Sequence, residues 1–239
     1  MNYMRTGIIR SLVAASIALS AFAVVADTTF AEPDCNLNRD LVRADLSGCD
    51  LTNADLSLAN LSGANLSGAD LSLASLFQTD LIGANLTGAH LIGADLIGAN
   101  LTGANLNKAL LWGADIKNAN LTGANLTDAS FRDANLKDSN LKDANMTDAE
   151  LTDANFKDAN LTGANLKNAN LTGANLSDAS LTGADVRGAK FEGAILTRAN
   201  IAGANFTDAD LTGAYLRPGI SRADMDGVKG LDKVKGLVD

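Results

Sequence analysis

From Leu41 to Leu216 the chain places Leu, Ile, Val, Met or Phe at every fifth residue, thirty-six times, without an insertion or deletion. Ala stands two residues before that position at nearly every repeat from Ala44 to Ala214, the exceptions being Cys49, Thr79 and Ser139. In an α-helix each residue advances about 100°, so a five-residue step spreads the apolar row around the whole surface. In a continuous strand side chains alternate faces, and an odd period turns every second Leu outward. What remains is a chain that bends once per five residues, with Ala and Leu pointing inward from a short extended segment. The bend follows Leu, so the residue two beyond it falls where positive φ is required. Between Gly48 and Pro218 that position holds 17 Gly, 9 Asp and 3 Asn in 35 repeats, the residues that tolerate left-handed turn geometry.

Such units bury their apolar faces only by stacking, and the outward residue before each Leu reports the number of sides. With fifteen residues per coil its 17 Asn divide 6, 5 and 6 among three sides, whereas with twenty they divide 6, 7, 1 and 3 among four. Four sides therefore sort the sequence. Asn60, Asn100, Asn120, Asn140 and Asn160 then share one column and Asn65, Asn85, Asn105, Asn125, Asn145 and Asn165 the next. Their spacing of about 4.8 Å suits amide ladders. The A(D/N)LXX units from Arg39 to Pro218 closely resemble the pentapeptide-repeat family. The resemblance implies an all-β fold, a right-handed quadrilateral parallel β-helix of about nine coils and roughly 43 Å, with short terminal caps. It also implies a chain without catalytic activity.

The ends divide the sequence into residues 1–31, 32–38, 39–218 and 219–239. Arg5 and Arg10, the uncharged stretch from Ser11 to Ala26 and the small residues that follow read as a secretory signal peptide, with cleavage after Ala31 or Ala26. The uncharged run is short for a membrane span, so no span is expected after processing. Residues 32–38 are expected to cap the first coil and 219–239 the last. Val228, Leu231, Val234 and Leu237 are spaced for a short helix, against which Gly227, Gly230 and Gly236 weigh, leaving an irregular turn as the alternative. In an exported chain Cys35 and Cys49 favour a disulfide. The other reading makes Cys49, at an inward Ala position, a small core residue beside a free terminal thiol.

The net charge is −9, which speaks against nucleic-acid binding through a basic footprint. His90 is the single histidine, too few for a multi-histidine metal site, and is expected at the surface near Asp70. The turns from Asp128 to Asp158 carry Asp in seven successive repeats. Clustered carboxylates suit Ca²⁺, but Arg132, Lys137, Lys142 and Lys157 lie among them, which favours a self-neutralised face and no metal. No nucleophile has a positioned base and the glycines recur as turns rather than as a phosphate cradle, so neither an enzyme nor a cofactor site is expected. Outward Thr rows raise ice binding as a class, interrupted by Lys142.

The regularity breaks on the third side, whose outward column runs Asp50, Asp70, His90, Leu110, Ser130, Glu150, Asn170, Lys190 and Asp210. Ile92 and Trp112 follow that side's core residues, and Phe77 and Ile97 occupy the equivalent places on the fourth. With Leu110, these form the candidate partner-binding patch, because exposed aromatic residues dominate contact energies. The expected function is an exported structural or interaction rod that binds an unidentified protein. The resemblance places exported members in the periplasm or, in cyanobacteria, the thylakoid lumen. The alternative it implies is a DNA mimic that modulates DNA gyrase, against which the signal segment argues.

Overall fold

The computed structural model describes residues 34–37, 40–221 and 235–238. The signal-peptide reading of residues 1–31 and the resumed rhythm at Ala223–Met225 lie outside the described residues. From Asp45 to Lys190 each outward residue forms a parallel bridge with the residue twenty positions on, as in Asp45↔Asn65 and Lys190↔Asp210. The twenty-residue coil and its four sides are therefore as the Asn columns indicate.

Each bend is a four-residue turn closed by the Ala N–H donating to the preceding core carbonyl, as in Ala64 to Leu61 at 2.9 Å. Positive φ falls on its third residue, the signature of a type II turn. It holds at all 17 glycines and also at Arg43, Leu58, Leu73, Gln78, Lys108 and Arg198. Six residues that pay for left-handed backbone with steric strain adopt it because the turn's own closure and the hydrogen bond to the next coil fix the bend, as in Arg43 to Ser62 and Leu58 to Phe77.

The backbone donors of one repeat can be followed completely, as buried and semi-buried amides require. The core residue's N–H crosses to the next coil (Leu66 to the Asn85 carbonyl, 2.7 Å), as does that of the turn residue (Gly68 to Thr87, 2.9 Å). The outward residue's N–H reaches back one coil (Asn85 to Ala64, 2.9 Å), and the Ala N–H closes the turn. The fifth donor, just after the core residue, has no main-chain acceptor. It donates instead to the Oδ1 of the Asp or Asn two residues earlier, as Thr122 does to Asn120 at 3.2 Å and Ser72 to Asp70 at 3.0 Å. Successive parallel rungs joined by one coil take the right-handed sense that such crossovers adopt, and the fold is a right-handed quadrilateral β-helix.

Leu columns and the Ala columns between them fill the interior, with Phe131, Phe156 and Phe191 fully buried and Phe191 against Phe206 at 5.7 Å between ring centroids. The three interruptions of the Ala column each have a compensation. Thr79 Oγ1 donates to the Leu56 carbonyl at 2.7 Å and Ser139 Oγ to that of Leu136, so neither buried hydroxyl is left unmade. Cys49, 2% exposed, is joined to Cys35 with Cα atoms 5.7 Å apart. The bridge holds Cys35 and Leu37 partly buried against the core at its N-terminal end.

At the other end Leu237, the last residue of the apolar spacing, lies in a strand, while Val228, Leu231 and Val234 lie outside the described residues. The strand β1 (Ile195–Leu196) pairs in parallel with β2 (Tyr215–Ser221), which runs through Pro218 and Gly219. β2 pairs in turn with β3 (Lys235–Val238), where a helix had been one expectation. Tyr215 faces Lys235, keeping the twenty-residue period, but Ile220 faces Leu237. The register shift absorbs Pro218, which cannot donate to a ladder. Residues 222–234 of this segment lie outside the described residues.

Candidate functional site

The amide ladders exist in mixed form. Asn85 Nδ2 donates to Asn65 Oδ1 at 3.0 Å and Asn160 to Asn140 at 3.0 Å, whereas Asn105 and Asn145 donate to the hydroxyls of Thr87 and Thr127, each at 2.9 Å. Thr102 and Thr122 donate to their own Asn100 and Asn120, at 2.7 and 2.6 Å. The Thr rows are thus tied into the surface network rather than presented as a free hydroxyl lattice.

A second role of the outward residue, not visible in the Asn columns, is acceptance of the turn N–H. At every described repeat with Asp or Asn in that place the Oδ1 accepts it; where another residue stands there, no such bond forms. The exceptions concentrate on the third side. Asp70 and Asn170 serve Ser72 and Thr172, but the four positions between them are His90, Leu110, Ser130 and Glu150. The N–H groups of Ile92, Trp112, Arg132 and Thr152 consequently have no acceptor among the described residues.

The same coils carry the expected apolar residues. His90 and Leu110 are bridged on adjacent rungs, and the Gly93 N–H meets the Trp112 carbonyl at 2.9 Å, so Ile92, Leu110 and Trp112 are neighbours. Trp112 is 44% exposed; its indole N–H donates to Ser130 Oγ, which is 9% exposed. The ring is held in place while still presenting a face. Leu73, 61% exposed, extends this stripe by lying over Gly93, since a Cβ there would be 2.9 Å from Leu73 Cδ2.

Phe77, 37% exposed, and the half-buried Ile97 lie at the far corner of the fourth side, with Leu58 beside them, one rung before Phe77. The outward column Ser75, Asp95 and Asp115 runs between the two stripes. Ile82, at the first side's turn, is a further exposed apolar residue that its isolation in the sequence did not single out.

His90 is exposed, and the Ser72 hydroxyl and N–H, with a smaller contribution from His90, hold the Asp70 carboxyl below its usual range. In the Asp-rich turns Lys137 pairs with Asp138 at 3.3 Å, and Arg132 lies 3.9 Å from Glu150. Asn168 donates to Asp148 at 3.1 Å. Among the described residues no group of three or more His, Cys, Asp or Glu is placed to hold a metal, and no helix is long and apolar enough to cross a membrane.

No curated protein matches the chain. Among solved structures, HetL, a pentapeptide repeat protein involved in heterocyst differentiation regulation from the cyanobacterium Nostoc sp. strain PCC 7120, is 34% identical. The alignment covers 74% of this chain and 89% of HetL, with a TM-score of 0.45. A pentapeptide repeat protein of the Arabidopsis thaliana thylakoid lumen is 30% identical over 44% of this chain and 70% of its own, with a TM-score of 0.33. QnrB1, a plasmid-mediated fluoroquinolone resistance protein, is 20% identical over 77% and 88%, with a TM-score of 0.42. These superpositions carry no weight by themselves. The family described as pentapeptide repeats (8 copies) matches residues 40–76, 74–113, 113–148, 149–188 and 179–217. With repeats over that span and the identity to HetL, the chain belongs to the pentapeptide-repeat family.

Proposed function

We propose that this protein is an exported, non-catalytic interaction rod that binds a protein partner through the irregular third side and the adjoining fourth-side corner, with Ile92, Leu110 and Trp112 at the centre and Phe77 and Ile97 at the edge. The observation that carries the reading is the coincidence on one side of two departures from the repeat. In coils three and four the loss of the Asp/Asn acceptor coincides with the apolar residues Ile92, Leu110 and Trp112, so main-chain donors and apolar surface are presented together there. Elsewhere the outward residues spend their polar groups on one another.

Export is supported by the Cys35–Cys49 bridge, since disulfides persist in oxidising compartments such as the periplasm or thylakoid lumen. The division into a signal segment (1–31), an N-terminal cap (32–38), the β-helix (39–218) and a C-terminal cap (219–239) belongs to the same proposal. Fractionation of the source cells with intact-mass analysis tests it. A processed, oxidised chain outside the cytoplasm that loses its crosslinked partner on Trp112→Ser and Phe77→Ser substitution is the expected result. An unprocessed cytosolic chain bound to a topoisomerase overturns it.

A further inference from the structure

The four acceptor-less N–H groups of the third side define a spacing, and the spacing restricts what fits them. They recur once per coil, at about 4.8 Å. An extended peptide laid along the rod offers carbonyls on one edge about 6.8 Å apart, and a helix repeats every 5.4 Å, so neither stays in step over four rungs. Another stack of β-rungs does. This chain is itself such a stack, and it carries acceptors at the same period: the carbonyls of the third-side turn residues Gly93, Gly113, Asp133 and Asp153 accept no hydrogen bond among the described residues.

Charge points the same way. In a chain of net charge −9, Ala89–Gly93 and Ala109–Gly113, the third side of coils three and four, contain no carboxylate. Coils five and six carry Arg132, Asp133, Glu150 and Asp153 on that side. A two-fold axis perpendicular to the rod between coils four and five sets coil three against coil six and coil four against coil five. His90 then meets Glu150 of the other copy, and Trp112 meets Arg132, the pairing in which a guanidinium stacks on an indole. One patch supplies both halves, as a two-fold interface requires.

Resting on the interaction-rod reading above, we infer that the third side of coils three to six docks a second copy of this chain, side by side with antiparallel axes.

Sedimentation velocity on the purified protein across a concentration series tests this, alongside the double variant His90→Asn/Leu110→Asn. That variant restores the family acceptor at both repeats and leaves the core untouched; far-UV circular dichroism checks that it folds. The wild type is expected to show a monomer–dimer equilibrium and the variant one at least about tenfold weaker, a difference of about 1.4 kcal/mol. A wild type that remains monomeric throughout, or a variant that dimerises equally well, overturns the inference. A photo-crosslinking residue at Trp112 separates the two readings. Capture of a different protein by a monomeric chain overturns the second copy but leaves the proposed function standing. Absence of any crosslink removes both.

Discussion

Asn125 performs both functions of the outward position at once, and substitution there separates them. Its Oδ1 accepts the Thr127 N–H at 3.3 Å and the Thr127 hydroxyl at 2.7 Å, while its Nδ2 donates to Asn105 Oδ1 at 2.9 Å. A net protein hydrogen bond contributes about 0.5–1.5 kcal/mol, and these are only part-buried, so Asn125→Ala should cost about 2 kcal/mol. Asn125→Asp keeps both accepting bonds and loses only the ladder donor, and should cost about 1 kcal/mol or less on the same scale. The sequence uses Asp and Asn interchangeably in this place, at Asp80 and Asn100 for example, as a shared Oδ1 role requires. Urea denaturation of the two variants, read from midpoints at unchanged m-value, supplies the comparison. If Asp costs as much as Ala, the amide ladder and not the turn acceptor selects the residue, and the account of the third side loses its basis.

Reduction of the Cys35–Cys49 bridge, which joins residues 14 apart, should lower stability by about 3 kcal/mol, seen as a drop in urea midpoint with reductant that a Cys35→Ser variant does not show. Nothing lies within 4 Å of a Cβ added at Gly123, whose φ is +64. Gly123→Ala should therefore cost about 1 kcal/mol through backbone strain alone, and Gly123→Asn less, by the same assay. The Arg198 guanidinium lowers the Asp178 carboxyl pKa and the Arg187 guanidinium that of Asp185. Depressed folded-state values contribute stability above the unfolded pKa and lose it as pH falls through the folded value. The urea midpoint should thus be flat near neutrality and decline only as pH drops below the ordinary carboxyl value of 3.8, with a shallower decline in Asp178→Asn.

Much of this architecture is legible in the sequence because each layer has its own period. The five-residue step excludes helix and continuous strand, the Gly/Asp/Asn tally locates the positive-φ residue, and the segregation of Asn gives twenty residues per coil. The Ala-column exceptions show where single-position reading ends. Cys49, Thr79 and Ser139 look alike as interruptions; the Cys35 partner of Cys49 is favoured by the sequence, but the Leu56 and Leu136 carbonyls that accept from Thr79 and Ser139 are fixed only by the folded coil. The acceptor role of Asp and Asn was signalled by their shared Oδ1 but hidden, because a ladder explains Asn equally well and only the path of the fifth N–H distinguishes them. At the C-terminus Leu237 lies in a strand paired with β2, whose edge supplies hydrogen bonds that an isolated glycine-rich helix lacks. Ile97 is one repeat from Ile92 in sequence, but the polar column of Ser75, Asp95 and Asp115 runs between their stripes.

The most direct measurement of the central claim is site-specific photo-crosslinking in the source cells, with the reactive side chain placed at Trp112 in one variant and at Thr122 in another. Both follow a core residue and both sit on the surface, but Thr122 belongs to a coil whose Asn120 accepts its N–H. The account predicts discrete protein crosslinks from position 112 and none from position 122. Equal crosslinking from both, or crosslinking from 122 alone, contradicts it.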